Sequence, residues 1–447
     1  FARIATMNPT DPGLFAAHLE RCLRLIENAL AETGFDALLI HSGLPRLRFL
    51  DDQAGPFRAN PHFSWLVPEA QPGCGVLLQP GGKPRLFYTR GADFWHLPPP
   101  EPASWWAELL EVVEVGGEPD WVADLETPTR LAVIADDTAG NGERLGGELN
   151  PEPLLNRLHL ARTVKSEWEQ ACIGEANRRA AHGHRAVAEA VGSGVSEFEL
   201  HLAYLRACGQ MDAELPYDSI VALNKHAATL HFTELERAAP ASVCSLLIDA
   251  GAACNGYAAD ITRTYSTPEQ AAFAELIARV ERLQSELVAG ARAGVDYREL
   301  HLQAHRLVAV TLREMGIVDM QVDSMVDTGV SGVFFPHGLG HFLGLQVHDV
   351  AGLLADADGG TRDRPEGHPA LRLTRILEAG NVLTVEPGIY FIPMLLQRLR
   401  EGRHRASVNW ERIESMAPCG GVRIEDDVLI TADEPRNFSR EAFAAAA

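Results

Sequence analysis

Cysteine is scarce and poorly spaced for pairing. Cys22, Cys74, Cys172, Cys208, Cys244, Cys254 and Cys419 are odd in number and form no C-x-x-C. That disfavours a disulfide framework or a thiolate zinc site and fits a reducing, cytoplasmic setting. No apolar run approaches the roughly 18–20 residues a membrane span needs, so no membrane association is expected. Cationic residues are also short, 39 Lys plus Arg against 61 Asp plus Glu, for a net charge of −22. Such a surface repels phosphate backbones, which argues against nucleic acid as a partner, and it attracts cations. The opening Phe1-Ala2-Arg3-Ile4-Ala5-Thr6-Met7 lacks a long apolar core, so it reads as no signal peptide, with Met7 as a candidate start. Neither a Ser-centred G-x-S-x-G elbow nor a P-loop is present.

What is there is a chain of 447 residues, 46% hydrophobic and 22% charged. That length exceeds what one core usually supports, so two domains are expected. Phe15 to Thr33 carries apolar residues at helical spacing and stops before Gly34. Strand-like runs follow at Asp36–His41, Gly75–Gln79, Arg85–Tyr88 and Arg130–Ile134, so the first region, 1–162, reads as an α/β domain. In the second region, 163–447, Ser166 with Glu169 and Ser196 with Glu199 have the spacing of capping boxes. Thr267-Pro268 predicts the start of a long helix, and Asp296 with Glu299 another. Helices and strands in blocks make this second domain α+β. Residues 355–367, polar and glycine-rich, read as an exposed loop and a candidate lid.

The chemistry-bearing residues begin with the run Leu246-Leu-Ile-Asp249. Asn255-Gly256 follows, a strong hairpin signal, and then a second run containing Asp260. With Asn255 and Gly256 as the loop, Asp249 faces Thr262. Asp260 is then the diagonal neighbour of Asp249 on the same sheet face, at roughly 7–8 Å between backbones. Two acids beside a turn are often simply solvated. Here Asp249 ends a run of buried-type residues, where an unpaired charge is costly. Near the C-terminus Val382-Leu-Thr-Val-Glu386 is again an apolar run ending in an acid, and Arg423 and Glu425 share one face of a second run. The two units suggest an internal duplication. Between them lie His337, His341 and His348. Pro336 and the glycines exclude the helical H-E-x-x-H motif, and Gly344 comes one position late for a dinucleotide fingerprint. A lone histidine is usually structural, but three within twelve positions beside four aligned acids favour a site.

Four carboxylates and one imidazole form a mostly hard-oxygen set with a formal charge of −4. Two divalent ions balance it where one does not, and the set suits Mn2+ or Co2+, with Zn2+ and Fe2+ as alternatives. Paired ions can hold a shared water and generate hydroxide near neutral pH, the nucleophile that an amide hydrolase needs.

On Asp249, Asp260, His341, Glu386 and Glu425, in this order and these contexts, the sequence resembles the M24 pita-bread metallopeptidases, and within them the bacterial Xaa-Pro dipeptidases and related organophosphorus acid anhydrolases. Further matches include Asp36–Gly43, Phe49–Asp52, Asp93–His96, Leu215–Tyr217, Val221–Asn224, Leu230–Thr233, His368-Pro369 and Leu371–Arg375. The resemblance implies a creatinase-like first domain used for dimerisation and site closure, and a pita-bread catalytic domain. It implies that the five residues bind two metal ions, most often Mn2+, with Asp260 and Glu425 bridging them. Glu386 would also take a proton. His231 and His348 would face the substrate, Arg423 would orient site groups and His337 would lie just behind them. Arg372 would meet the substrate carboxylate, with Arg375 as its rival. Tyr217 would form a pocket wall, weighed against a plain core aromatic, and Trp95 would enter the site of a partner subunit in a homodimer. Phe342 directly after His341 departs from common family usage.

The expected reaction is hydrolysis of Xaa-Pro dipeptides. A prolyl amide lacks the N–H that most peptidases bind, whereas a metal centre polarises the carbonyl directly. His231 would help stabilise the oxyanion. A protonated site group would supply the proline nitrogen with a proton. The alternatives are an aminopeptidase P acting on longer peptides, and a non-catalytic peptide-binding module on the same fold. Organophosphate hydrolysis is a plausible side reaction.

Overall fold

The computed structural model describes residues 7–123, 125, 128–136, 144–191 and 194–446. The opening segment Phe1–Thr6, read above as no signal peptide, lies outside them. The described chain falls into two compact units. One holds the residues up to Arg162 together with Ser166–Cys172 and Asp356–Gly360, and the other holds the rest.

The first unit opens with the helix Pro12–Thr33. Asp11 caps it by accepting from the amides of Gly13 and Leu14, and Gly34 ends it in the left-handed region. Its apolar stripe buries Phe15, Leu19, Cys22, Ile26 and Leu30. A six-stranded mixed sheet follows, in the order β4-β3-β2-β1-β5-β6. Its strands are β1 (Ala37–His41), β2 (Gly75–Leu78), β3 (Arg85–Thr89), β4 (Glu111–Val115), β5 (Leu131–Ile134) and β6 (Glu148–Leu149). Four of these match the apolar runs. β4 matches none of these runs because it is an edge strand interrupted by Glu111 and Glu114, and an edge tolerates charge that an interior strand does not.

The second unit is α+β. It takes the helix Glu167–Ala190 from Ile173 onward; the start of that helix counts with the first unit, and there Ser166 and Glu169 cap each other, with Ser166 N donating to Glu169 Oε2 at 2.7 Å. The helix Glu197–Cys208 carries a full capping box from Ser196 and Glu199. The helix Ala271–Gly290 begins four residues after Thr267, not at it. Gln270 is its N-cap, and its N–H closes a turn onto the Thr267 carbonyl instead of continuing a helix from there. This helix and Tyr297–Glu314 bury one flank of the main core, including Leu276, Val280, Leu283, Leu300, Val308 and Leu312.

Two sheets matter for the site. In one, β7 (Ile220–Leu223), β8 (Ser245–Asp249) and β11 (Thr262–Ser266) run antiparallel in the order β11-β8-β7. Beyond Asp249 the chain continues through the short pair β9 (Ala253–Cys254) and β10 (Tyr257–Ala258). Asn255 and Gly256 form the loop with φ of 49° and 82°, the positive pair that a two-residue hairpin turn requires. In the other sheet β12 (Val382–Val385) pairs with β15 (Asp426–Leu429), and β15 with β16 (Arg436–Asn437). Past Glu386, β13 (Gly388–Tyr390) pairs with β14 (Gly421–Arg423). Both sheets thus place an acid at the strand end, where one ladder hands over to the next. The second is no tight hairpin, since the helices Pro393–Glu401 and Trp410–Met416 intervene between β13 and β14. The 355–367 stretch is braced. Leu354 bridges to Thr361, and Arg362 Nη2 donates to Asp296 Oδ2 at 2.7 Å.

Candidate metal centre

The two sheets meet at one backbone bridge, where Glu425 N donates to the Thr262 carbonyl at 3.1 Å. Thr262 lies opposite Asp249 in the β8–β11 ladder, the register that the Asn-Gly turn requires. One bridge therefore brings Asp249 and Asp260 to Glu425. His341 arrives on the segment 339–343, which runs along β12. Thr384 N donates to the His341 carbonyl, and Glu386 N to that of Leu339, each at 2.9 Å. Gly340 permits this close approach, because a Cβ there would collide with the Thr384 carbonyl and the Tyr297 hydroxyl.

The side chains converge. His341 Nε2 lies 3.4 Å from Asp260 Oδ2 and 3.5 Å from Glu386 Oε1. Single ligand atoms of Asp260, His341 and Glu425 all fall within 4.8 Å of one another, and all three residues are buried. His341 Nδ1 donates to the Phe342 carbonyl at 3.0 Å, which turns Nε2 toward the carboxylates. Asp249 accepts from Tyr217 OH at 2.8 Å and from Arg423 Nη2 at 2.5 Å. Thr262 donates its hydroxyl to Glu425 Oε2 at 2.5 Å and accepts from Arg423 Nε at 3.0 Å.

The electrostatics are those of a cluster short of positive charge. Burial pushes Glu386 up to about 7, aided by the charges of Asp260 and Asp249 and opposed by His341 and Arg423. Burial also raises Glu425 and Asp249. Burial disfavours the His341 cation, yet Asp260 and Glu386 raise that imidazole to about 9. Asp260 is held low in spite of burial, because it bonds to His341. A proton on His341 Nε2 thus occupies the space between acceptors that a metal ion would fill. Four carboxylates facing one imidazole and one guanidinium fit divalent cations by charge, by donor type and by their inward aim.

Around this cluster the other expected residues divide. His337 lies 3.5 Å from Glu386, donates Nδ1 to its neighbour Gly338 and meets Tyr390 OH through Nε2 at 2.9 Å. Burial and Arg423 lower it to about 3, so it is neutral. His348 stacks edge-on against His341 at 4.3 Å between ring centroids. Burial, His341 and Arg372 lower it to about 4. His231 is exposed and lies within electrostatic reach of both His337 and His348. Arg372 is exposed, whereas Arg375 is committed to the Leu354 carbonyl at 2.7 Å and to Glu378 at 2.9 Å. Trp95 belongs to the first unit and is 77% exposed.

Two residues escaped the sequence reading. Thr262 ties Arg423 to Glu425, and its place opposite Asp249 was already implied by the turn. Tyr390 OH accepts from Arg423 Nη1 at 3.0 Å and lies against His337. It closes the short strand β13 beyond Glu386 and Pro387, and no local pattern marked it out.

Residues 171–432 match metallopeptidase family M24, and residues 13–160 match the N-terminal domain of Xaa-Pro dipeptidases. The Xaa-Pro dipeptidase of Stenotrophomonas maltophilia strain K279a is 43% identical, covering 98% of this chain and 99% of its own. That of Xanthomonas campestris pv. campestris strain 8004 is 42% identical with the same coverage. Among solved structures, proline aminopeptidase P II from Yersinia pestis superposes with a TM-score of 0.73 at 24% identity, covering 96% of this chain and 100% of its own. Escherichia coli aminopeptidase P with the inhibitor Pro-Leu gives 0.72 at 23%, covering 95% and 98%. At that identity the likeness is one of fold.

Proposed function

The chain belongs to metallopeptidase family M24, with an N-terminal α/β domain and a pita-bread catalytic domain, and on that premise we propose that it hydrolyses Xaa-Pro dipeptides. The observation that carries the reading is the meeting of Asp260, His341 and Glu425 in one buried cluster flanked by Asp249 and Glu386. These five residues would hold two divalent ions, Mn2+ by donor type. Bound there, the ions supply an activated water and polarisation of the scissile carbonyl.

The chain's own groups do the rest. Glu386, raised toward neutrality by burial, is suited to hold and release a proton beside the water. His348 and His337 are neutral imidazoles, able to donate or accept a hydrogen bond without adding charge. His231, exposed and near both, would meet the substrate carbonyl oxygen. Arg423 holds Asp249 in place and, through Thr262, orients Glu425. Tyr217 restrains the other Asp249 oxygen.

Arg372 is the candidate for the substrate carboxylate, since Arg375 is already occupied and Arg372 acts on His348. Arg372→Ala should lower kcat/KM for Gly-Pro roughly 10- to 100-fold, mainly through KM, as expected for losing one charge-assisted pair. A longer Xaa-Pro peptide, with its carboxylate elsewhere, should be a poor substrate for both proteins. Steady-state kinetics on the two substrates checks this, and preference for the longer peptide would instead favour aminopeptidase P activity. The complete ligand set argues against a non-catalytic module, and organophosphates remain a candidate secondary substrate for the same activated water.

No described helix is long and apolar enough to cross a membrane. A cytoplasmic setting is supported by the odd number of cysteines and the lack of any C-x-x-C spacing. We place the domain boundary at residue 162 and infer a homodimer. Phe94 at 86% and Trp95 at 77% exposed, together with Phe49 at 92%, are the kind of apolar surface a second copy covers, and Trp95 would then reach the partner's substrate.

A further inference from the structure

A second cluster of metal-ligating side chains shares no residue with the carboxylate centre. His301 and His305 lie one turn apart on the helix Tyr297–Glu314, and His368 faces them from a loop. One ring nitrogen from each lies within 4.8 Å of those of the other two. The ring centroids are 4.5 to 4.8 Å apart. His301 Nε2 is 2.9 Å from His368 Nδ1.

A stack of structural histidines is the plain alternative, and it predicts that the ring nitrogens are satisfied. They are not. Ser331 Oγ takes His305 Nδ1 at 3.0 Å, and His305 Nε2 is buried without a partner. His301 Nδ1 is likewise buried and unpartnered. Both residues are at least 98% buried, where such orphan groups call for an explanation. We propose that His301, His305 and His368 form a third metal site that takes a late first-row divalent ion, Zn2+ or Cu2+, through imidazole nitrogen alone.

Burial lowers His301 to about 2 and His305 to about 3, so both rings are in the neutral, ligating form at ordinary pH. The Ser331 contact is the outer hydrogen bond that orients a ligating imidazole. Two histidines at i and i+4 on one helix face are a rigid pair of donors. All-nitrogen donors select copper and zinc over manganese, the reverse of the carboxylate centre. His368 is half-exposed and so gives the ion a way in. Phe335 packs on His305 at 4.8 Å and edge-on to His337 at 4.8 Å, so an ion here would brace the wall of the carboxylate centre.

The test is titration of the Mn2+-loaded protein with Cu2+, followed by electron paramagnetic resonance and by melting temperature. One further equivalent per chain should bind, with nitrogen hyperfine splitting, and raise the melting temperature. His305→Asn and His368→Gln should each weaken that binding more than about tenfold and abolish the rise in melting temperature. His368→Gln alters a half-exposed loop residue, so it should keep its fold and its Gly-Pro hydrolysis. A copper signal with oxygen ligands only, or one unchanged in both variants, would overturn the site.

Discussion

Asp260→Asn should lower Gly-Pro hydrolysis by about 10²–10³-fold, the range for losing one group that stabilises a transition state. It should also cost the protein its full complement of divalent ions. Asn keeps the shape of the side chain and removes one negative charge from the centre of the cluster. The backbone there is anchored independently, because Asp260 N donates to Asp427 Oδ2 at 3.0 Å. Asp249 keeps its bonds from Arg423 and Tyr217. The loss should therefore appear in activity and in metal analysis, with the circular dichroism spectrum unchanged. Near-normal hydrolysis with the ions retained would remove Asp260 from the site.

The second large effect is on stability. Lys165 Nζ lies 2.8 Å from Asp349 Oδ2, with side chains only 1% and 2% exposed. Asp349 also accepts from Val350 N and donates its own N–H to the Phe342 carbonyl, so the pair secures the loop that carries His341 and His348. Lys165→Met strands a carboxylate in the interior and should destabilise the protein by about 3–5 kcal/mol, the usual cost of breaking a buried pair. Adding Asp349→Leu should recover most of that loss, because burying a matched ion pair and burying two apolar side chains cost about the same. Urea unfolding of the three proteins measures both steps. A single variant within about 0.5 kcal/mol of the parent would show that the pair contributes little.

The carboxylate hairpin was the most legible part of the site. Asn255-Gly256 admits few turn geometries, and turn geometry fixes register, so the facing of Asp249 and Thr262 followed from two residues. The capped starts of the helices at Glu167 and Glu197 were legible for the same reason, as both are local. The bridge from Thr262 to Glu425 spans 163 residues, and no local preference encodes it; the two similar acid-bearing units and the family likeness were what implied that these groups meet. Local signals also misled once. Thr267-Pro268 has the chemistry of a helix start, but the chain closes a separate turn there before the helix begins at Ala271. The His301–His305–His368 cluster was hidden because its third member comes from a distant loop.

The most direct measurement is calorimetric titration of the ion-free protein with Mn2+ at two pH values. Two ions should bind per chain, with release of protons. His341 at about 9 and Glu386 at about 7 both carry protons near neutrality that the ions must displace, so binding should tighten as pH rises from 6.5 to 8. A ratio of zero or one, or an affinity that weakens with rising pH, would contradict a two-metal centre built from these five side chains.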